Sequence, residues 1–233
     1  MIEGTKIAHV TLAMFGEKTS FEFLKTYADL KKEGAQVLIL DLRDNGGGLL
    51  ETSVNILSNF FPRDRLIVTT KEKNPFMNHS YFSYGPGDID MPVVLLVNEN
   101  SASASEITAG AMKDYERAII VGTKTYGKGS VQQPFFLSDG SELKITVAKW
   151  YTPLDHGIDK VGIEPDVSVK FEKEDFDNRY DRQLEEAKKI AARLLKTDRK
   201  TVLAEYAKFA EDSRKQEKDA VTSGTGNTEA SKK

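Results

Sequence analysis

The sequence predicts an α/β fold with a parallel sheet and right-handed crossovers, and three observations predict it. Two short runs, Val37-Leu38-Ile39-Leu40 and Val93-Val94-Leu95-Leu96-Val97, are apolar at every position, as strands buried on both faces must be. Strand, turn, helix and strand recur in that order along the first half of the chain. Three polar, glycine- or serine-bearing loops, 43–48, 98–104 and 122–130, leave what would be carboxyl ends of strands, where sites gather in such sheets.

The elements follow in order. Lys6 to Leu12 reads as a first strand. Thr19 to Glu33 reads as a helix, because Phe21, Phe23, Leu24, Tyr27, Ala28 and Leu30 recur near helical spacing and Gly34 ends the run. A helix over Leu49 to Phe61 is closed by Pro62, and a strand covers Leu66 to Thr70. A polar loop with Pro75, Gly85 and Pro86 separates it from the second apolar run. A helix from Ser105 to Tyr115 and a strand Ala118 to Val121 come next. Val131 to Leu137 and Glu142 to Trp150 flank Asp139-Gly140, a hairpin signal. Asp181 to Leu195 and Thr201 to Ser213 read as terminal helices. Residues 1–214 therefore form one globular domain, and 215–233, rich in Ser, Thr, Gly, Lys and Glu without apolar period, read as a disordered tail.

Composition narrows the chemistry. The chain has 233 residues, 33 basic against 36 acidic, which gives no global field for a polyanion, so nucleic acid is not an implied partner. No apolar run is long enough to span a bilayer, and the start MIEGTKIAHV lacks a signal-peptide core. Cysteine is absent, so a covalent catalyst must be an oxygen or amine nucleophile and no thiolate metal site exists.

Two segments carry chemistry. In Asn98-Glu99-Asn100-Ser101-Ala102-Ser103-Ala104-Ser105-Glu106, small residues make a tight turn between a buried strand and a helix, a setting that holds a serine hydroxyl near a helix N-terminus. Ser103 and Glu106 also spell a capping box, and taken alone the segment favours that reading. Gly122-Thr123-Lys124-Thr125-Tyr126-Gly127-Lys128-Gly129 resembles a phosphate loop, yet Gly129 stands where a magnesium-holding Ser or Thr belongs, and a strand rather than a helix follows. Both loops leave successive strands and should lie side by side. A lysine set against a serine can serve as general base if desolvation keeps it neutral. His9, His79 and His156 follow no hydrolase-like order with the serine and read as structural.

VVLLVNENSASASEITAGAMKD and VGTKTYGKGSVQ, with 25 residues from Ser103 to Lys128, resemble the C-terminal processing (tail-specific) peptidases, as do LILDLRDNGGGLL and YTPLDHGIDKVGIEPDVSV. The resemblance covers roughly residues 5 to 195. It implies a crotonase/Clp-like core of stacked βαβ units with a β-hairpin extension and C-terminal helices, and a serine endopeptidase acting near the C-termini of protein substrates. Carried over residue by residue, Ser103 is the nucleophile, Lys128 the general base and Gln132 the residue that orients the lysine amine. Ala104 with Gly46 or Gly47 would supply the oxyanion-hole N–H groups, and some relatives point to an acidic residue that falls on Asp114. No metal or cofactor is implied, and an extracytoplasmic setting is. Relatives commonly carry a PDZ domain ahead of the strand that begins here at Lys6, and none is evident. They also often have glycines where Asp155 and Lys160 stand. A ligand-binding or scaffold module of the same fold, like the retinoid-binding proteins, is the alternative, and the presence of both Ser103 and Lys128 argues for the enzyme.

Overall fold

A computed structural model describes residues 1–208. Its centre is a five-stranded parallel sheet in the order β1 (Ile7–Thr11), β2 (Val37–Asp41), β5 (Val93–Val97), β6 (Ala118–Gly122) and β9 (Val167–Ser168). Every side chain of β2, β5 and β6 is buried, and alternation along them explains why. Leu38, Leu40, Val93, Leu95, Val97 and Ile120 face one core with α1 (Thr19–Lys32), α2 (Leu50–Leu57) and α3 (Ala104–Asp114). Val37, Ile39, Val94, Leu96, Ile119 and Val121 face a second core closed by Ala187, Ile190, Ala191 and Leu194 of α5 (Arg182–Leu194). The sheet lies between two helical layers, so each central strand must be apolar on both faces.

A second, antiparallel sheet runs β4 (His79–Phe82), β3 (Leu66–Glu72), β8 (Glu142–Tyr151) and β7 (Ser130–Phe136). The expected hairpin therefore does not stand alone, because β8 pairs with β3 from Glu72↔Ala148 to Thr69↔Tyr151. Within the segment expected to be loop, His79–Phe82 is a strand, preceded by a 3-10 turn at Pro75–Met77. Its side chains are largely exposed, so it leaves no buried alternation to read, and only pairing with β3 holds it extended. The second helix also ends earlier than its apolar content suggests. It stops at Leu57, and Phe60 and Phe61 enter the core from the turn that follows. On α1, Phe23 and Tyr27 are buried while Phe21 and Leu24 remain exposed.

The short β9, a helix α4 (Lys173–Asp177) and a helical segment over 199–208 complete the described chain. The remainder of the expected last helix, and the stretch 215–233, lie outside the described residues. No helix among the described residues is long and apolar enough to cross a membrane.

Candidate active site

The three loops foreseen at strand ends meet above the centre of the parallel sheet. β2 pairs with β5, and β5 with β6, so the segments that follow them are neighbours. Hydrogen bonds stitch the first two loops together. Ala102 N–H (3.0 Å) and Ser105 Oγ–H (2.8 Å) both donate to the Asn45 carbonyl, and Ser101 Oγ–H donates to the Leu42 carbonyl (2.8 Å). Asn45 is fully buried, its amide donating to Leu12 O (2.7 Å) and its Oδ1 accepting from Gly47 N–H (2.9 Å).

This stitching bends the chain sharply at Ser103, whose φ of 55° and ψ of −114° lie outside the regions open to residues with a Cβ. A backbone of that kind costs on the order of 1–3 kcal/mol and persists only where the surroundings over-determine it. Gly47 is one of those surroundings. Its φ is +102°, and a Cβ there would come within 2.7 Å of Ser103 Cβ and Ala102 O. Glycine at 47 thus makes room for the serine turn itself.

The lysine loop is tied to the serine turn by one buried carboxylate. Glu106, on the first turn of α3, is fully buried and accepts four hydrogen bonds. Its Oε2 accepts from Ser103 N–H (3.0 Å) and Lys128 N–H (2.8 Å). Its Oε1 accepts from Gly127 N–H (2.6 Å) and Thr125 Oγ–H (2.6 Å). Charge-assisted bonds to a buried carboxylate are among the stronger protein hydrogen bonds. The capping-box arrangement is present, but Glu106 N–H donates directly to the Ser103 carbonyl (2.8 Å), and the Ser103 hydroxyl makes no direct capping bond. The resemblance to a phosphate loop is answered too, since the N–H groups of Gly127 and Lys128 point at this internal anion. From its other side, Trp150 Nε1–H donates to the Lys128 carbonyl (3.0 Å). Gly129 packs so tightly on the next loop that a Cβ would meet Asp159 N at 2.5 Å. The Lys128 peptide is therefore held from two directions while its side chain is half-buried.

Ser103, Lys128 and Gln132 line one cleft of about 640 Å³, together with Leu49, Leu50, Ile107, Val131 and Trp150. A second hollow of about 550 Å³, sharing Lys128, is bordered by Gly46, Ala102 and Tyr126. Of the three N–H groups expected at an oxyanion hole, that of Gly47 is engaged by Asn45, whereas those of Gly46 and Ala104 have no hydrogen-bond partner among the described residues.

Residues 6–169 match the model of peptidase family S41. The chain belongs to peptidase family S41. It is 42% identical over 166 residues to a carboxyl-terminal-processing protease of Picosynechococcus sp., which covers 71% of this chain and 40% of that protein. It is 36% identical over 169 residues to the carboxy-terminal processing protease CtpB of Bacillus subtilis, over 72% of this chain and 35% of that one. Among solved structures, the photosystem II D1 C-terminal processing protease superposes with a TM-score of 0.64 at 38% identity, covering 70% of this chain and 42% of that chain. The tricorn protease, at 20% identity and a TM-score of 0.52, shares the fold. The chain spans between about a third and two fifths of the length of the curated relatives it matches.

Other charged residues of this S41 chain have different places. Asp114 ends α3, 11 residues beyond Ser103 and so about 16 Å along the helix axis. Its carboxylate accepts from Leu154 N–H (2.7 Å) and contacts His156 Nδ1 (3.3 Å), so the structure does not bring it to the cleft. Of the histidines, His79 lines the cleft wall from β4, and His9 Nε2 lies 3.2 Å from Asp41 Oδ2. Behind the loop 43–48, Arg43 bonds Asp41 (2.7 Å) and reaches Asp181 (2.8 Å), the N-cap residue of α5. Burial pushes the Asp41 carboxyl up, but the bonds from His9 and Arg43 outweigh it and hold it at about 2. Burial pushes the Arg43 guanidinium down, but its bonds to Asp41 and Asp181 outweigh that and raise it. This network anchors the exit of β2 to the second helical layer. Sequence reasoning missed it, as it missed the bridging role of Glu106. The available signal was one carboxylate within the small and apolar run Ala102 to Ala111.

Proposed function

We propose that this S41 domain is a serine endopeptidase working through a Ser103–Lys128 dyad on protein substrates, close to their C-termini. The observation that carries the reading is the buried Glu106, which receives the backbone N–H of both Ser103 and Lys128 and so sets the two loops at one cleft. A structural capping serine would need no such bond to a second loop.

In this reading Lys128 takes the proton of the Ser103 hydroxyl as Oγ forms a bond to the scissile carbonyl carbon. The carbonyl oxygen becomes an oxyanion facing the N–H groups of Gly46 and Ala104. One such donor is worth on the order of a hundredfold to a thousandfold in rate. Collapse of the intermediate breaks the C–N bond, the Lys128 ammonium gives its proton to the leaving amine, and an acyl-enzyme remains. Water, deprotonated by the same amine, then releases the second product and restores Ser103. Gln132 lines the same cleft on β7, and in this reading its carboxamide oxygen holds the Lys128 amine. A substrate tail held by a partner or a PDZ domain, and an extracytoplasmic setting, belong to the same proposal. Relatives named as chloroplastic C-terminal processing peptidases are in keeping with it.

The test compares the parent with Ser103→Ala and Lys128→Arg on an unfolded protein such as casein. The parent should cleave it, and loss of the nucleophile should lower the rate by several orders of magnitude. Lys128→Arg should be inactive at every pH, because a guanidinium cannot accept the proton. Undiminished cleavage by either variant refutes the dyad.

A further inference from the structure

β7 and β8 run on past the rest of their sheet. β3 ends at Glu72, opposite Ala148, while β7 and β8 stay paired out to Phe136↔Glu142. Residues 142–147 therefore belong to a two-stranded ribbon about 20 Å long. Cross-strand partners share a face, so Gln132, Pro134 and Phe136 look the same way as Thr146, Lys144 and Glu142. Gln132, Pro134 and Lys144 line the Ser103 cleft. Phe136 is the next residue on that face, and it is 77% exposed. The segment between β3 and β4 supplies Met77, which also lines the cleft, and Phe76, 96% exposed on the same 3-10 turn. These exposed apolar side chains continue outward from the cleft and find no cover among the described residues.

We propose that Phe136, with Pro134, Met77 and Phe76, forms an outer subsite for a bulky apolar side chain of an extended protein substrate, roughly four residues from the scissile bond. The distance follows from the ribbon. Gln132 to Phe136 spans four strand residues, about 13 Å, and an extended peptide covers that length with the same number of residues. The proposal rests on the peptidase reading of the cleft. Its occupant is argued from continuity, since the subsite shares a wall with the cleft that holds Ser103. Pro134 gives no N–H on an edge strand, which discourages continuous strand addition there and leaves recognition to side chains. Lys144 and Glu142 pair on the same face (3.6 Å), so no net charge is offered to an anionic membrane.

The experiment uses matched peptides carrying Leu or Ser four residues from the cut, on either side, with parent and Phe136→Ser proteins. So exposed a residue should leave folding unaffected. The parent should prefer the Leu peptide by about tenfold in kcat/KM, through KM, and Phe136→Ser should bring the ratio near one. A peptide too short to reach the ribbon should be cut equally by both. Anisotropy with Ser103→Ala and Ser103→Ala/Phe136→Ser reads the subsite without catalysis. If the parent cleaves nothing while Ser103→Ala still binds the Leu peptide about tenfold better than the double variant, the peptidase reading falls and the subsite stands. Equal binding, a preference that survives Phe136→Ser, an equal loss on the short peptide, or vesicle binding or a dimer abolished by Phe136→Ser would overturn the proposal.

Discussion

Replacing Glu106 by glutamine keeps the shape of the side chain and removes its charge, and the structure says which contacts suffer. Each carboxylate oxygen accepts two bonds, Oε2 from Ser103 and Lys128 N–H and Oε1 from Gly127 N–H and Thr125 Oγ–H. A carboxamide can keep only one of these positions as an acceptor. With its NH₂ at the Oε2 position, it would face two N–H donors that cannot turn round. At the Oε1 position it faces only Gly127 N–H, and the Thr125 hydroxyl can rotate to accept, although it already accepts from Ile163 N–H (2.7 Å). The second orientation should therefore be adopted, leaving one buried N–H unpaired and two bonds without charge assistance. An unsatisfied buried donor costs about 1–3 kcal/mol, so the expected loss of stability is about 3 kcal/mol. Glu106→Ala, which strands all four donors, should cost more. Urea unfolding in the Ser103→Ala background, where self-cleavage is removed, measures both, and kcat with an unfolded substrate should fall for Glu106→Gln because the bonds from Ser103 and Lys128 N–H lose their charge assistance and the neighbouring Gly127 N–H is left unpaired. A midpoint shift worth less than about 1 kcal/mol, or an unchanged kcat, would show that the clasp does not hold the two loops.

Two further outcomes follow from the backbone and the charges. The Asp41 carboxyl sits at about 2 in the folded protein, below the ordinary value of 3.8, so its ion pair stabilises above pH ~4 and is lost as pH falls from there towards 2. Thermal unfolding of the parent should lose about 2 kcal/mol more across that window than Asp41→Asn does; parallel curves would refute the assignment. Asp155 and Lys160 have φ of 67° and 62°, the left-handed region that favours glycine. Lys160→Gly should raise stability by up to about 1 kcal/mol in urea unfolding. Asp155→Gly should come out near zero, because aspartate tolerates this region better and the change gives up the ion pair with Lys71. Destabilisation by Lys160→Gly would mean that its backbone is not strained.

Legibility in this chain follows the range of each residue's requirement. β2 and β5 could be read from sequence because burial on both faces forces an apolar residue at every position, and α3 because Ser103 and Glu106 bracket its first turn. β4 could not, since its exposed positions record nothing of the pairing with β3 that shapes it, and β9 is only two residues long. Gly46 and Gly47 are interchangeable as letters. What separates them is the Asn45 side chain, which occupies one N–H group and leaves the other open. Glu106 belongs to both kinds at once. Its local requirement, three residues beyond Ser103, spells a cap, and its distant partners at 125, 127 and 128 decide what the cap is for. Arg43 likewise looks like an ordinary loop charge until Asp181 arrives from the second helical layer. The serine and lysine loops carry the proposed chemistry in their own residues, but the geometry that sets them at one cleft is held by a carboxylate whose partners the fold supplies. Substitutions at Glu106 should therefore report on the relative placement of the two loops, whereas substitutions at Ser103 and Lys128 should report on the proposed reaction itself.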